Sequence, residues 1–313
     1  MKISKRFLSE LGLFSERKLY YPVLLRDLSM SKYANRKEKQ YSNSIGITDF
    51  GDSHFFKNKK DNSNKVFFLL GGSTSINDLK TDHWRHIYEN TSLGINSWFV
   101  HEFEPNFLMT EGYHEEDLDS KMYTWTATNL KEYLQFSRSI PLFKNINTSF
   151  LPWAYLAGVS KNTAFSISRL EVPGRTLEGK KKATRVIKKM GLHQKFFLSS
   201  RASVVLGMSV GYRLGFKKIV LCGFDLREGK YFWEQDDFKR NRRVEIPPGW
   251  AKNQILHPTA NPKVNKITAD IAVTTLVNDL FRPLGIDIYV SSKRSRLHPY
   301  LPVYKFPDSA IMT

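Results

Sequence analysis

The segment from Ser200 to Leu226 constrains the fold most. Residues 200–214 read SRASVVLGMSVGYRL, with apolar side chains at helical spacing interrupted by Ala202, Ser203, Gly207, Ser209 and Gly211. This predicts a helix with many small residues, which allow close packing or the close approach of a ligand. Gly215 suits the end of that helix, because glycine accepts a left-handed backbone without a steric penalty. Lys217-Lys218 then lead into IVLCGFDL (219–226), an unbroken apolar run bounded by Gly223 and Asp225. Continuous apolar strands are buried on both faces, and in such folds the sheet is parallel with helices covering each side.

A second unit of the same kind starts at VFFLL (66–70). It runs into the turn Gly71-Gly72-Ser73-Thr74-Ser75 and a helix suggested by Ile76, Leu79, Trp84 and Ile87. Strand, tight turn and helix start open a doubly wound fold. Further strands are expected from Ser92 to Val100, near Asn106 to Thr110 and from Ile140 to Phe150. Residues 115–150 read as mixed and only partly helical, and 151–172 have no clear assignment. The apolar set Ile267, Ile271, Val273, Leu276, Val277 and Leu280 predicts a helix over 265–280, and IDIYVSS (286–292) a last strand. Residues 1–64 read as an N-terminal extension, polar from Tyr33 onward. Residues 65–226 form the expected Rossmann-like core, and 257–313 complete it. Between them, 227–256 show little periodicity and are long for a connection, which predicts a lid. No internal repeat is visible.

Charge narrows the partners. Lys and Arg number 48 against 30 Asp and Glu, a net charge of +18. Such a chain seeks anions: nucleic acid, an anionic membrane face or phosphorylated substrates. Residues 175–196 carry eight basic side chains and one acidic one, with Lys181, Arg185, Lys188 and Lys189 able to share a helical face. Lys239-Arg240-Asn241-Arg242-Arg243 and Lys293-Arg294-Ser295-Arg296 are further patches. Solvated faces are the bland explanation for all three. No zinc-finger spacing, RNP-type aromatic motif or helix-turn-helix supports nucleic acid. Ile3, Phe7, Leu8, Leu11 and Phe14 fall at helical spacing among basic residues, as in an interfacial helix or one packed on its own domain. The single cysteine, Cys222, excludes an internal disulfide framework and implies a reducing compartment. No apolar run approaches the ~18 residues of a membrane span, and the first residues lack a signal-peptide core.

Few motifs carry chemistry by themselves. The 71–75 turn offers free N–H groups at a helix start, which favour phosphate. It matches neither a P-loop nor G-x-G-x-x-G, which argues against routine ATP or dinucleotide binding. His257, in LHPTANP after the expected lid, is a candidate general base, since an unperturbed imidazole titrates near pH 6.5. Asp117 and Asp119 form an Asp-x-Asp, the pair a metal-dependent glycosyltransferase uses for Mg²⁺ or Mn²⁺, but a charged surface helix turn explains them better. No His/Cys cluster has transition-metal spacing.

Taken together, several segments resemble the bacterial sialyltransferases of glycosyltransferase family 42. FLLGGSTSI (68–76) stands where that family has its first strand and Gly-Asn-Gly-Pro-Ser turn. GINSWF (94–99) places Asn96 at a family asparagine. SRASVVLGMSVGYRLGFKKIVLCGFDL (200–226) parallels its Ser-Gly helix and the strand ending Gly-Ile-Asp-Phe, and a lid of similar length then leads to His257. The resemblance covers about 66–292, with a longer insertion between 112 and 195. Gly72 replaces an asparagine, no second asparagine matches near 110–112, and Arg227 and Tyr231 or Trp233 stand near two lid tyrosines.

The resemblance implies a Rossmann-like GT-A variant, with helices on both faces of a mostly parallel sheet and a lid. It implies an inverting, metal-independent transfer of a sialic or related nonulosonic acid from a CMP-activated donor to a glycan of a surface oligosaccharide. CMP-Kdo is an equal alternative donor. His257, Arg227 and Tyr231 are the expected catalytic residues. Gly71, Gly72, Ser73, Ser75, Asn96, Arg201 and Ser203 are expected to hold the donor, with no metal and no cofactor. Expected partners are the donor, a glycan acceptor that is lipid-linked in one version, a peripheral anionic membrane surface, and in one version a second copy of the chain, but no nucleic acid. The expected location is cytoplasmic, at the inner membrane face in that version. A non-enzymatic basic Rossmann-like protein and a metal-dependent transferase using Asp117 and Asp119 stay open as alternatives.

Overall fold

A computed structural model describes residues 20–57, 62–111, 121–144, 157–159, 164–174, 176–200, 202–227, 230–235, 244–245, 258–263 and 266–307. In chain order the main elements are α1 (Tyr20–Ser44), β1 (Thr48–Asp49), β2 (Val66–Leu70), α2 (Thr81–Tyr88), β3 (Thr91–Ile95), β4 (Phe107–Glu111) and α3 (Lys121–Phe136). There follow β5 (Ile140–Lys144), β6 (Phe165–Ser166), β7 (Arg169–Glu171), α4 (Leu177–Lys189), β8 (Phe197–Ser199), α5 (Ser203–Arg213), β9 (Lys218–Cys222), α6 (Ala269–Leu276) and β10 (Asp287–Val290).

Eight strands form one sheet in the order β1-β6-β5-β4-β3-β2-β9-β10, and every neighbouring pair is parallel. All carboxyl ends therefore lie along one edge. A separate parallel pair joins β7 and β8. The expected α/β architecture is present, and its cause is visible in β2. Phe67 and Leu69 enter the core beneath α4, α5 and α6, while Val66, Phe68 and Leu70 enter the core shared with α2 and α3. β9 divides likewise, Ile219 and Leu221 on one face and Val220 and Cys222 on the other. Each strand buries both faces, so neither alternates with polar residues.

The small residues of α5 explain its closeness to the sheet. A Cβ on Gly207 would lie 2.4 Å from Leu69 Cδ1, and one on Gly211 2.6 Å from Phe67 Cδ1. Because the earlier glycine meets the later strand residue, α5 runs antiparallel to β2. Its N-terminus thus faces the carboxyl edge of the sheet.

Sequence and structure differ in several places. Thr48–Asp49, within the segment expected as an extension, pair with β6 as the edge strand. The next residue, Phe50, is fully buried among Phe55, Phe56, Phe107, Phe165 and Phe197. Arg213 lies over the rings of Phe197 and Phe56 at 4.1 and 5.0 Å, a cation–π contact that fastens this segment to α5. The strand expected to reach Val100 stops at Ile95, because Asn96 takes a positive φ of 58° and residues 97–100 coil into a tight helical turn. Residues 115–150, expected to be mixed and partly helical, do hold the 16-residue helix α3 followed by β5. Lys180, counted with the basic face of 175–196, is 1% exposed, and its ammonium donates to Val172 O at 2.8 Å and to Ser200 Oγ. Arg185 and Lys189 do stand exposed on α4.

Candidate functional site

β2 and β9 are neighbours, and the chain runs on from β2 to β3 on one side but from β9 to β10 on the other, so the strand order reverses between them. In open parallel sheets the crevice outside the carboxyl ends at such a reversal is where ligands bind. Here two loops meet in that crevice, Gly71–Ser75 after β2 and Gly223–Leu226 after β9. Gly71 N–H donates to Cys222 O at 2.7 Å and Ser73 N–H to Gly223 O at 3.0 Å. Asp225 N–H donates to Ser73 Oγ at 3.1 Å. The Asp225 carboxylate in turn accepts Ser75 Oγ at 2.5 Å and Ser75 N–H at 3.1 Å. A Cβ on Gly71 would sit 2.5 Å from Gly223 O and 2.8 Å from the Phe224 ring, so only glycine lets the loops come this close.

Asp225 is 5% exposed. Burial pushes its carboxyl above the ordinary range, against the two Ser75 hydrogen bonds and the nearby Arg294, which favour the charged form. After it, Leu226 takes φ 56°. A bulky non-glycine residue with positive φ is strained, and such residues gather at functional sites. Among the described residues the other one is Asn96, at the same edge of the sheet.

Above the loops lies a cleft of about 280 Å³ lined by Ser73, Thr74, Asp225, Arg227, Lys230 and Arg294. Three cations thus face one buried carboxylate. Arg294 reaches both Asp78 oxygens at 3.1 and 3.3 Å and donates to Thr74 Oγ1 at 2.9 Å. Arg227 Nε donates to Arg294 O at 2.7 Å. The start of the expected lid closes one side. Tyr231 bridges Ser73, Phe232 N–H donates to Gly72 O at 2.8 Å, and the Tyr231 ring stacks on Trp233 at 4.5 Å. Asn77 fixes the same segment through Phe232 O and Gln235 Oε1, at 3.0 and 2.6 Å. The chemistry suited to this cleft is recognition of an anion beside a backbone shaped by glycine.

The structure brings Ser73 and Arg227 to the cleft wall, with Gly71, Gly72 and Ser75 in the loop that supports it and Tyr231 against Gly72. Asn96 stands exposed at the end of β3, its N–H donating to Met109 O at 2.7 Å. Ser203 opens α5 and accepts a hydrogen bond at 2.6 Å from Lys144, which is buried at the end of β5. Both lie on the same edge but outside the cleft lining. His257, Arg201, Asp117 and Asp119 lie outside the described residues. Sequence reading did not select Thr74, Lys230, Arg294 or Lys144 as site residues. Arg294 was visible only as one charge in a basic patch, and Asp225 only as the end of a strand. Among the described residues, no group of three or more His, Cys, Asp or Glu is placed to hold a metal ion.

No family model matches the chain, and no curated protein matches it. Solved structures do. The sialyltransferase CstII from Campylobacter jejuni in complex with cytidine-5'-monophosphate is 13% identical over 80% of this chain and 89% of that one, with a TM-score of 0.44. A Tyr-to-Phe variant of the sialyltransferase CST-II with CMP is 14% identical over 77% and 87%, with a TM-score of 0.43. CstII with CMP-3FNeuAc is 13% identical over the same shares, with a TM-score of 0.40. The likeness is one of fold.

Proposed function

We propose that the chain is an inverting, metal-independent glycosyltransferase. It moves a sialic acid, or a related nonulosonic acid such as Kdo, from a CMP-activated donor to a glycan of a surface oligosaccharide. The observation that carries this reading is convergence. The turn 71–75 is far in sequence from the loop 223–226 and from Arg227, which continues that loop, and together they build one cationic cleft at the reversal point of the sheet. These are also segments on which the sequence resemblance rests.

In the reaction, the bond from C2 of the sugar to the donor phosphate breaks, and its electron pair goes to the phosphate. A bond from C2 to the acceptor oxygen forms on the opposite face, and the acceptor proton passes to a base, the role assigned to His257. Negative charge grows on the departing phosphate, where Arg227, Tyr231 and the N–H groups of the turn would meet it. The leaving group has a single phosphate, so no divalent cation is needed to mask a diphosphate. Gly71, Gly72, Ser73 and Ser75 shape the donor side, with Asn96, Arg201 and Ser203 completing it. The lid would exclude water and limit donor hydrolysis. The exposed basic residues of α4 suit a peripheral anionic membrane surface, with a lipid-linked acceptor, on the cytoplasmic side. Among the described residues no helix is long and apolar enough to cross a membrane.

The test is thermal unfolding with CMP in the presence of EDTA. Protection by CMP, and none by uridine or adenosine monophosphate, is expected. Protection that appears only with Mg²⁺ or Mn²⁺ would favour the metal-dependent alternative. Salt-steep RNA binding without CMP protection would favour the non-enzymatic one.

A further inference from the structure

Arg294 comes from the far end of the chain, after β10, yet it sits in the wall of the cleft. Three bonds fasten its backbone region to the loop after β9. Arg227 Nε donates to Arg294 O, Ser295 Oγ donates to Phe224 O, and Arg296 N–H donates to Asp225 O, each at 2.7 Å. The position of Arg294 is therefore set by the same loop that carries Asp225 and Arg227. Its side chain is held differently. The guanidinium meets Asp78 and Thr74, and the ion pair with Asp78 is half-exposed on both sides, 45% and 50%. An ion pair so open to water is weak, so a better acceptor can replace the carboxylate.

We infer that Arg294 is a phosphate ligand of this cleft, held ready by Asp78 in the absence of the nucleotide and released to the leaving phosphate. The inference rests on the function proposed above. The donor phosphate is a diester with one negative charge. The departing nucleoside monophosphate carries close to two at pH 7, since its second pKa is about 6. A planar guanidinium binds two phosphate oxygens at once and gains more as the second charge develops. Arg227 and Lys230 line the same cleft, and the buried Asp225 carboxylate opposes them. Arg294 tips that balance toward the dianion. Asp78 is not part of the lining, and it competes with phosphate for the fork.

The two members of the pair therefore have opposite effects. CMP and cytidine are titrated calorimetrically into the full-length chain, and melting is recorded for each variant. Arg294→Gln should weaken CMP binding about tenfold, as expected for loss of a charge-assisted contact, and leave cytidine binding unchanged. Arg294→Lys should recover part of the loss. Asp78→Asn, which frees the guanidinium, should tighten CMP binding several-fold. Equal weakening of CMP and cytidine by Arg294→Gln would overturn the assignment, as would weakening by Asp78→Asn in step with it, because the pair would then be a structural tie. Failure of the wild type to bind CMP would overturn the proposed function and this inference together. CMP binding indifferent to Arg294→Gln would overturn this inference alone.

Discussion

Replacing Gly71 by alanine tests whether the two loops at the reversal point are one mechanical unit. The new Cβ would fall 2.5 Å from Gly223 O and 2.8 Å from the Phe224 ring. Carbon contacts are comfortable near ~3.5 Å, so the turn must retreat by about 1 Å. That retreat works against the 2.7 Å bond from Gly71 N–H to Cys222 O and the 3.0 Å bond from Ser73 N–H to Gly223 O. Overpacking of this kind costs about 1–3 kcal/mol. A shift of about 1 Å in a binding constellation also costs up to about 10²-fold in activity. Gly207→Ala is the control, because its Cβ would meet Leu69 inside the core, away from the cleft lining. Both variants should melt lower than the wild type, but only Gly71→Ala should also weaken CMP binding, measured by calorimetry well below both transitions. A Gly71→Ala protein with wild-type melting and wild-type affinity would refute the argument. So would equal loss of affinity in the Gly207→Ala control.

Two further outcomes follow, one from the site and one from the proposed reaction. Burial raises the Asp225 carboxyl, so the fold favours its neutral form. Its contribution to stability is complete below the unfolded value near ~3.9 and is lost as pH rises through the folded value. Asp225→Asn mimics the neutral acid, so its melting temperature relative to the wild type should be higher at pH 7 than at pH 4. A relative melting temperature that falls toward pH 7 would contradict this. His257→Ala should lower transfer about 10² to 10⁴-fold while CMP affinity stays near the wild type, and full activity in that variant would remove His257 from its role.

The fold was most legible where strands bury both faces. VFFLL and the run beginning at Ile219 announce themselves because neither may carry a polar residue toward water. The edge was not legible, since β1 is two residues long and exists only through pairing with β6, more than a hundred residues away. Asn96 hid the end of β3, because a reversal of φ leaves no mark in hydropathy. At the site, the turn and Arg227 could be read from their order along the chain. Arg294 could not. A charge in a basic patch acquires meaning only when three bonds bring residues 294–296 to the loop after β9. Lys180 shows the reverse case. It shares a helix with exposed basic residues, but at its register the helix faces Val172 and Ser200.

Transfer from a CMP-activated acid releases CMP, so CMP release reads the proposed reaction itself. The full-length chain is incubated with CMP-sialic acid or CMP-Kdo, with and without an oligosaccharide acceptor, in EDTA. Acceptor-stimulated CMP release is expected from one of these donors, lost in the His257→Ala variant and unaffected by the chelator. No release from either donor, or release identical in the His257→Ala variant, would contradict it.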